Sequence, residues 1–245
     1  MLKKLYKKSE IWFAVAWIFA YVILVSAGDK ISADIGISKI VTLPVLVVLC
    51  VVLFLFVKRN GVIKKYGLCK PTICSSEMLF YFPLIVLLTV NLWFGFSLNK
   101  SPAEILLYVL SMLCVGFLEE MIFRGFLFNA LAENGVKSAI VVSGITFGLG
   151  HIVNLVNGSG TELLSNILQI IYATAVGFAF VMIYYKTKSL VPCIVTHSIF
   201  NGLGIFSEDS VISPEKQLIS GLLIAIIAGG YALYIAIFVK EKCVK

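Results

Sequence analysis

Residues 103–132 read AEILLYVLSMLCVGFLEEMIFRGFLFNALA, thirty residues of which most are apolar and four are charged, Glu104 at the start and Glu119, Glu120 and Arg124 past the middle. As one helix this stretch is about 45 Å long at 1.5 Å per residue, enough to cross a bilayer with some excess. It could also break near Gly116 or Gly125. Charges at membrane depth cost about 2.5–3.5 kcal/mol each on insertion scales, so function is the default reading of such residues. Glu119 and Glu120 are neighbours and point about 100° apart on a helix, because successive side chains turn by that angle. Glu120 and Arg124 are four apart and share a face, the spacing of an ion pair. Glu120 is thereby assigned as a brace for Arg124, and Glu119 is left free to act as a base in apolar surroundings that raise a carboxyl's basicity. The plainer alternative is a helix end at the interface carrying solvated charges.

Working outward, the same apolar character continues along the chain. Of 245 residues 60% are hydrophobic and 13% charged, with a mean hydropathy of +1.02, and the apolar residues fall in long runs rather than amphipathic stripes. Eight runs are long enough to be spans, at about 11–27, 40–57, 79–98, 103–132, 136–153, 162–185, 189–206 and 216–239. The fold expected is all-α, a polytopic membrane protein with about eight transmembrane helices. The first run follows Lys3, Lys4, Lys7 and Lys8 but is read as a retained span, since Ala27-Gly28-Asp29 is a poor cleavage site.

The net charge of +7 is explained by topology. With eight spans and the amino terminus inside, only Lys30, Lys39, Lys100 and Lys216 fall outside; the other sixteen of twenty basic residues, Arg124 counted among them, fall inside. The positive-inside rule therefore predicts a cell-membrane protein with both termini cytoplasmic. Attraction to anionic headgroups of the lipid bilayer is expected, and no nucleic-acid partner is. The six cysteines (Cys50, Cys69, Cys74, Cys114, Cys193 and Cys243) form no CxxC pair and read as free thiols. The ending Cys243-Val244-Lys245 is one residue short of a prenylation box.

Two further polar pairs lie in apolar runs. Phe147 and His151 are four apart in the fifth, and His197 and Asn201 four apart in the seventh. Each could serve as interhelical hydrogen-bond glue. Gly148 and Gly150 weaken the helix around His151 and suit close packing. Measured along ideal helices, Glu119 lies about 20 Å from Ala132, His151 about 22 Å from Val136, and Asn201 and His197 about 18 and 12 Å from Ser189. This common depth is expected to form one polar layer reachable from the cytoplasmic side. A carboxylate, two imidazoles and an amide suit water activation and oxyanion stabilisation. Two Glu and two His could equally hold a divalent metal. No serine nucleophile elbow and no HExxH is present. The chain is read as one membrane domain over 1–245, with leading spans in 1–102, a catalytic core in 103–206, and a final span and tail in 207–245. The leading and final spans, carrying no intramembrane charge, are expected to pack or to select partners.

In order and spacing, Glu119-Glu120-Met-Ile-Phe-Arg124, Phe147-Gly-Leu-Gly-His151 and His197-Ser-Ile-Phe-Asn201 resemble the EExxxR, FxxxH and HxxxN motifs of the CPBP (CAAX protease and bacteriocin-processing, or Abi) family of intramembrane proteases. That family includes the type II CAAX prenyl endopeptidases. The resemblance covers 103–206 and implies a helical core with a cytoplasm-facing cavity that cleaves peptide bonds. It implies that Glu119 and His151 hold and activate water, that His197 and Asn201 stabilise the oxyanion, and that Glu120, Arg124 and Phe147 support the site. No cofactor is favoured, because Glu120 is committed to Arg124. Zinc is the alternative, and would be held by Glu119, His151 and His197.

The small size, short loops and Ile/Lys-rich composition look bacterial, which points to a peptide or membrane-protein substrate other than a prenylated tail. Bacteriocin immunity or peptide maturation is the expected setting. The competing reading is a non-catalytic membrane immunity or scaffold protein that binds a peptide or partner protein. A transporter ranks last, for want of an internal repeat. Oligomeric state is not legible in the sequence.

Overall fold

The computed structural model describes residues 2–155, 157, 162–208 and 213–240. Cys243 and parts of the 154–160 and 207–214 loops lie outside these. The described residues are predominantly helical, with one isolated antiparallel bridge between Phe96 and Ser207. In chain order the α-helices are α1 (Leu2–Lys8), α2 (Glu10–Ile35), α3 (Thr42–Arg59), α4 (Phe82–Leu88), α5 (Pro102–Glu120), α6 (Asn129–Ala132), α7 (Val136–Gly150), α8 (Leu163–Thr187), α9 (Val191–Leu203) and α10 (Pro214–Phe238).

Among the described residues six segments are long and apolar enough to cross a membrane: α2, α3, the continuous run Pro102–Ala132, Val136–Leu155, α8 and α10. The other two expected spans are shorter apolar pieces, Leu79–Leu92 and Val191–Phe206. The first is broken for a local reason. Leu79, Phe80 and Tyr81 all have positive φ, a conformation L-residues enter only at a cost, and α4 restarts after them with Pro83 in its first turn. The second starts with Pro192 at its head and tightens into a 3₁₀ turn at Gly204–Phe206.

Caps fix the ends of the long helices. Ser9 accepts the Trp12 N–H at the start of α2, which ends on Gly36 at φ +82°, where only glycine is unstrained. Ser101 and Glu104 form a reciprocal capping box at the head of α5, in which Pro102 takes the first helical position. The start of α2 and the finish of α10 lie at one end of the bundle, here the near end. The loops after α2, before α5 and before α10 lie at the far end.

Surface and interior are inverted relative to a soluble protein. Ile226 and Ile237 are 67% and 69% exposed, whereas Glu120 and Arg124 are fully buried. Large apolar side chains facing outward around charges facing inward are what lipid as solvent requires. The chain is a multi-pass membrane protein. Two apolar clusters divide the interior: one joins α2, α3, the segment after α5 and α7, and the other joins α4, α8, α9 and α10.

The quoted stretch neither breaks at Gly116 nor at Gly125. From Met121 to Phe128 it widens into a π-helix, with all eight residues buried. Such widening is rare and concentrates at functional positions. Here it begins directly after the two glutamates.

Candidate active site

Glycine contacts bring the site-bearing helices together. A Cβ on Gly116 would sit 2.8 Å from the Ser198 backbone nitrogen, so α9 can rest against α5 only because that position is bare. This close approach delivers His197 to the two glutamates. Gly148 does the same for α7 against α8, where a Cβ would lie 2.8 Å from Thr174 N. Gly150 does not share that duty, since its nearest neighbour would be Phe123 Cζ at 3.9 Å.

The two glutamates have different surroundings. Glu120 is fully buried; its Oε1 accepts from Arg124 Nη1 at 2.9 Å and stands 2.8 Å from His197 Nδ1. Arg124 also donates to the Gly177 carbonyl at 3.4 Å and lies 4.0 Å over the Phe147 ring. Charge, hydrogen bonds and a ring face thus compensate the burial of an ion pair. Glu119 lies at a cavity wall with its side chain 14% exposed. Tyr21 donates its hydroxyl to Glu119 Oε1 at 2.6 Å, and Glu119 Oε2 faces His197 Nε2 at 3.6 Å. His197 therefore stands between the carboxylates. With the Nδ1 proton given to Glu120, its Nε2 is directed to the space beside Glu119.

Phe147 is the common packing surface, edge-on to His151 at 5.4 Å and to His197 at 5.7 Å between ring centroids. His151 Nδ1 is 3.1 Å from the Phe147 carbonyl oxygen. His151 and Asn201 line two spaces at once. One is a cavity of about 300 Å³ shared with Glu119 and Tyr21, and the other a small apolar pocket shared with His197, Phe180 and Phe200. All seven residues singled out in the sequence thus lie in one neighbourhood. Glu119, Phe147, His151 and Asn201 border the larger space, His197 borders the smaller, and Glu120 and Arg124 stand behind them.

Three expectations need correction. The first span is not confined to packing: Tyr21 reaches Glu119, and Ser26 and Asp29 line the cavity. A tyrosine in an apolar run needs a partner for its hydroxyl when buried, and that was its signal. Gln169 on α8, an amide within another apolar helix, also lines both spaces and carried a similar signal. Second, Arg124, counted among the cytoplasmic cations, is buried inside the bundle, which leaves fifteen against four.

Third, a cytoplasm-facing cavity is incompatible with cytoplasmic termini. The cavity runs from Glu119 to Asp29, Lys39 and Asn157 at the far end. The near half is filled by Phe13, Trp17, Phe56, Tyr66 and Phe126 in ring-to-ring contact. A depth count along single helices cannot say which half of the bundle is packed solid.

A carboxylate with one oxygen fixed by a phenol and the other turned to an imidazole and a cavity can take a proton from water. As for a metal, among the described residues no three of His, Cys, Asp and Glu are arranged to hold an ion. His197 spends Nδ1 on Glu120, Glu120 is spent on Arg124, and His151 Nδ1 lies against a backbone carbonyl. Both imidazoles keep Nε2 outside these bonds, so it is the spacing of Glu119, His151 and His197, and not the chemistry of their atoms, that departs from an ion site here.

No curated protein matches the chain. Residues 101–203, less than half of its length, match the family model described as type II CAAX prenyl endopeptidase Rce1-like, a segment that contains the π-helix, both histidines and both glutamates. Through that core the chain is similar to the CAAX proteases, a family of membrane proteases.

Proposed function

We propose that the chain is an intramembrane endopeptidase that hydrolyses a membrane-associated peptide or protein by a glutamate-activated water, without a metal. The observation that carries this reading is the division of labour between adjacent carboxylates: Glu120 is locked to Arg124 and His197, while Glu119 keeps one oxygen on a cavity wall beside His151 and Asn201. Tyr21 holds Glu119 Oε1, so Oε2 is the basic oxygen. It takes a proton from water as the water oxygen attacks the carbonyl carbon. Asn201 donates from its amide to the oxyanion, and His197, held to Glu120 through Nδ1–H, donates from Nε2–H as the doubly protonated imidazolium between the two carboxylates. Glu119 then returns the proton to the leaving nitrogen as the C–N bond breaks. His151 helps position the water.

The setting we propose is the cell membrane with both termini cytoplasmic, supported by the fifteen-to-four asymmetry of loop cations. Peptide maturation or bacteriocin immunity is the role that the family resemblance favours. The test is mass spectrometry of membrane peptides from wild-type and Glu119→Ala cells, each with and without chelator. Peptides that depend on Glu119 but not on chelator support the reading. Indistinguishable peptide sets, with the variant present at wild-type levels, overturn it.

A further inference from the structure

The second feature of the site is its direction of access. The aromatic side chains of Phe13, Phe56, Tyr66 and Phe126 close the bundle below Glu120, with centroid separations of 4.8–5.0 Å for Phe13–Phe56, Phe13–Phe126 and Tyr66–Phe126. At such spacings rings are in contact, and no path for an extended peptide passes between them. The other half of the bundle is open. α2 packs on α3, on the π-helix and on α6, but has at most marginal contact with α7. The gap between α2 and α7 is the cavity itself, walled by Val22, Val25 and Ser26 on one side and Gly150, His151 and Val153 on the other. Its rim at the far end is polar: Lys39 pairs with Asp29 at 2.8 Å, and Asn154 donates to Gln169 Oε1 at 2.9 Å.

Gln169 marks a continuation. It lines the main cavity, the small apolar pocket, and a further cavity of about 280 Å³ bounded by Asn91, Ser165 and Gln217; the first two share His151 and Asn201, and the pocket and the further cavity share Tyr172 and Phe200. Ser165 and Gln217 are bonded to each other at the far end. A chain entering beside Asp29 and passing His151 would reach Ser165 only past Tyr172 and Phe200, with both of its ends on the far side.

We infer that the substrate is an extended peptide segment in the extracytoplasmic half of the membrane, loaded laterally between α2 and α7 from the end opposite the chain termini. The apolar cleft walls suit a segment embedded in the bilayer. The amide-bearing rim suits backbone recognition, since its one charged pair is internally neutralised. A tail presented from the cytoplasm would meet the aromatic plug. The occupant's identity as substrate rests on the hydrolase reading; the access route rests on packing and on the orientation of the termini.

The test is thiol labelling with a membrane-impermeant maleimide on cells producing the Ser26→Cys protein. Native Cys74, exposed at the near end, is the internal marker for the other face. The expected result is that the position 26 thiol reacts as fully in intact as in permeabilised cells, while Cys74 reacts only after permeabilisation. A position 26 thiol that stays unreacted until permeabilisation, rising together with Cys74, overturns the inference. Should Ser26→Cys fail to accumulate, Asn157→Cys on the rim loop takes its place. Labelling needs no turnover, so the two readings fail separately. The expected labelling with peptide sets unaffected by Glu119→Ala leaves the access route standing and removes the hydrolase. Glu119-dependent peptides with labelling only after permeabilisation do the reverse.

Discussion

Arg124→Met strips the cation from a carboxylate that has no water to turn to. Arg124 and Glu120 are both fully buried and 2.9 Å apart, so the substitution leaves an uncompensated buried charge. Breaking a buried pair from one side costs about 3–5 kcal/mol. The guanidinium over Phe147 at 4.0 Å adds a cation–π contact, but methionine keeps a sulfur–aromatic contact there, and His197 still bonds Glu120, so about 3 kcal/mol is the figure to expect. For a chain of this size that corresponds to a fall of about 6–12 °C in Tm. The informative comparison is the pair Glu120→Gln with Arg124→Met. It removes both charges, keeps an oxygen to accept from His197 Nδ1, and recovers most of the lost stability, because removing both members of a buried pair is close to neutral. Thermal unfolding of the detergent-purified proteins measures this. A single variant as stable as wild type, or a double variant less stable than the single, refutes the assignment of Arg124 and Glu120 as an internal brace.

Two other substitutions separate chemistry from packing. Tyr21→Phe removes the 2.6 Å hydrogen bond to Glu119 and leaves the ring in place; cleavage of a Glu119-dependent peptide is expected to slow by about tenfold to a hundredfold, from about 1.5–3 kcal/mol for a bond to a charged group. Its membrane level is expected to stay at the wild-type value and its Tm to fall by no more than about 3–12 °C, and unaltered turnover would remove Tyr21 from the site. Gly148→Ala forces a methyl against Thr174 and is expected to destabilise by about 1–3 kcal/mol. Gly150→Ala meets nothing closer than 3.9 Å and is expected to stay within about 0.5 kcal/mol of wild type in the same melts.

The membrane character and the site's membership were legible because both are written locally. Apolar runs of span length need no tertiary information, and each polar pair sits at a four-residue spacing on one helix. The Glu119–Glu120 split was also local, since neighbours on a helix cannot share a face. What was not legible depends on contacts between distant segments. Tyr21 and Glu119 are 98 residues apart, and nothing in the first span's pattern names its partner. His197 is held between two carboxylates because Gly116 lets α9 approach α5, a fact about packing rather than about the HxxxN spacing. The side of access escaped for the same reason: depth along a helix can be counted in sequence, but which half of the bundle is filled by Phe13, Phe56, Tyr66 and Phe126 cannot. The break at Leu79–Tyr81 lies in backbone angles that no apolar run reveals.

Glu119→Gln and Glu120→Gln, differing by one position, test the central claim most directly when turnover of a Glu119-dependent peptide and Tm are measured together. Glu119→Gln is expected to melt with the wild type and to cleave nothing, because its side chain borders a cavity and keeps an oxygen for Tyr21. Glu120→Gln is expected to melt lower, because it leaves Arg124 buried without its counter-charge. Turnover retained in Glu119→Gln, or the loss of stability falling on Glu119 instead of Glu120, would contradict the assignment of base and brace.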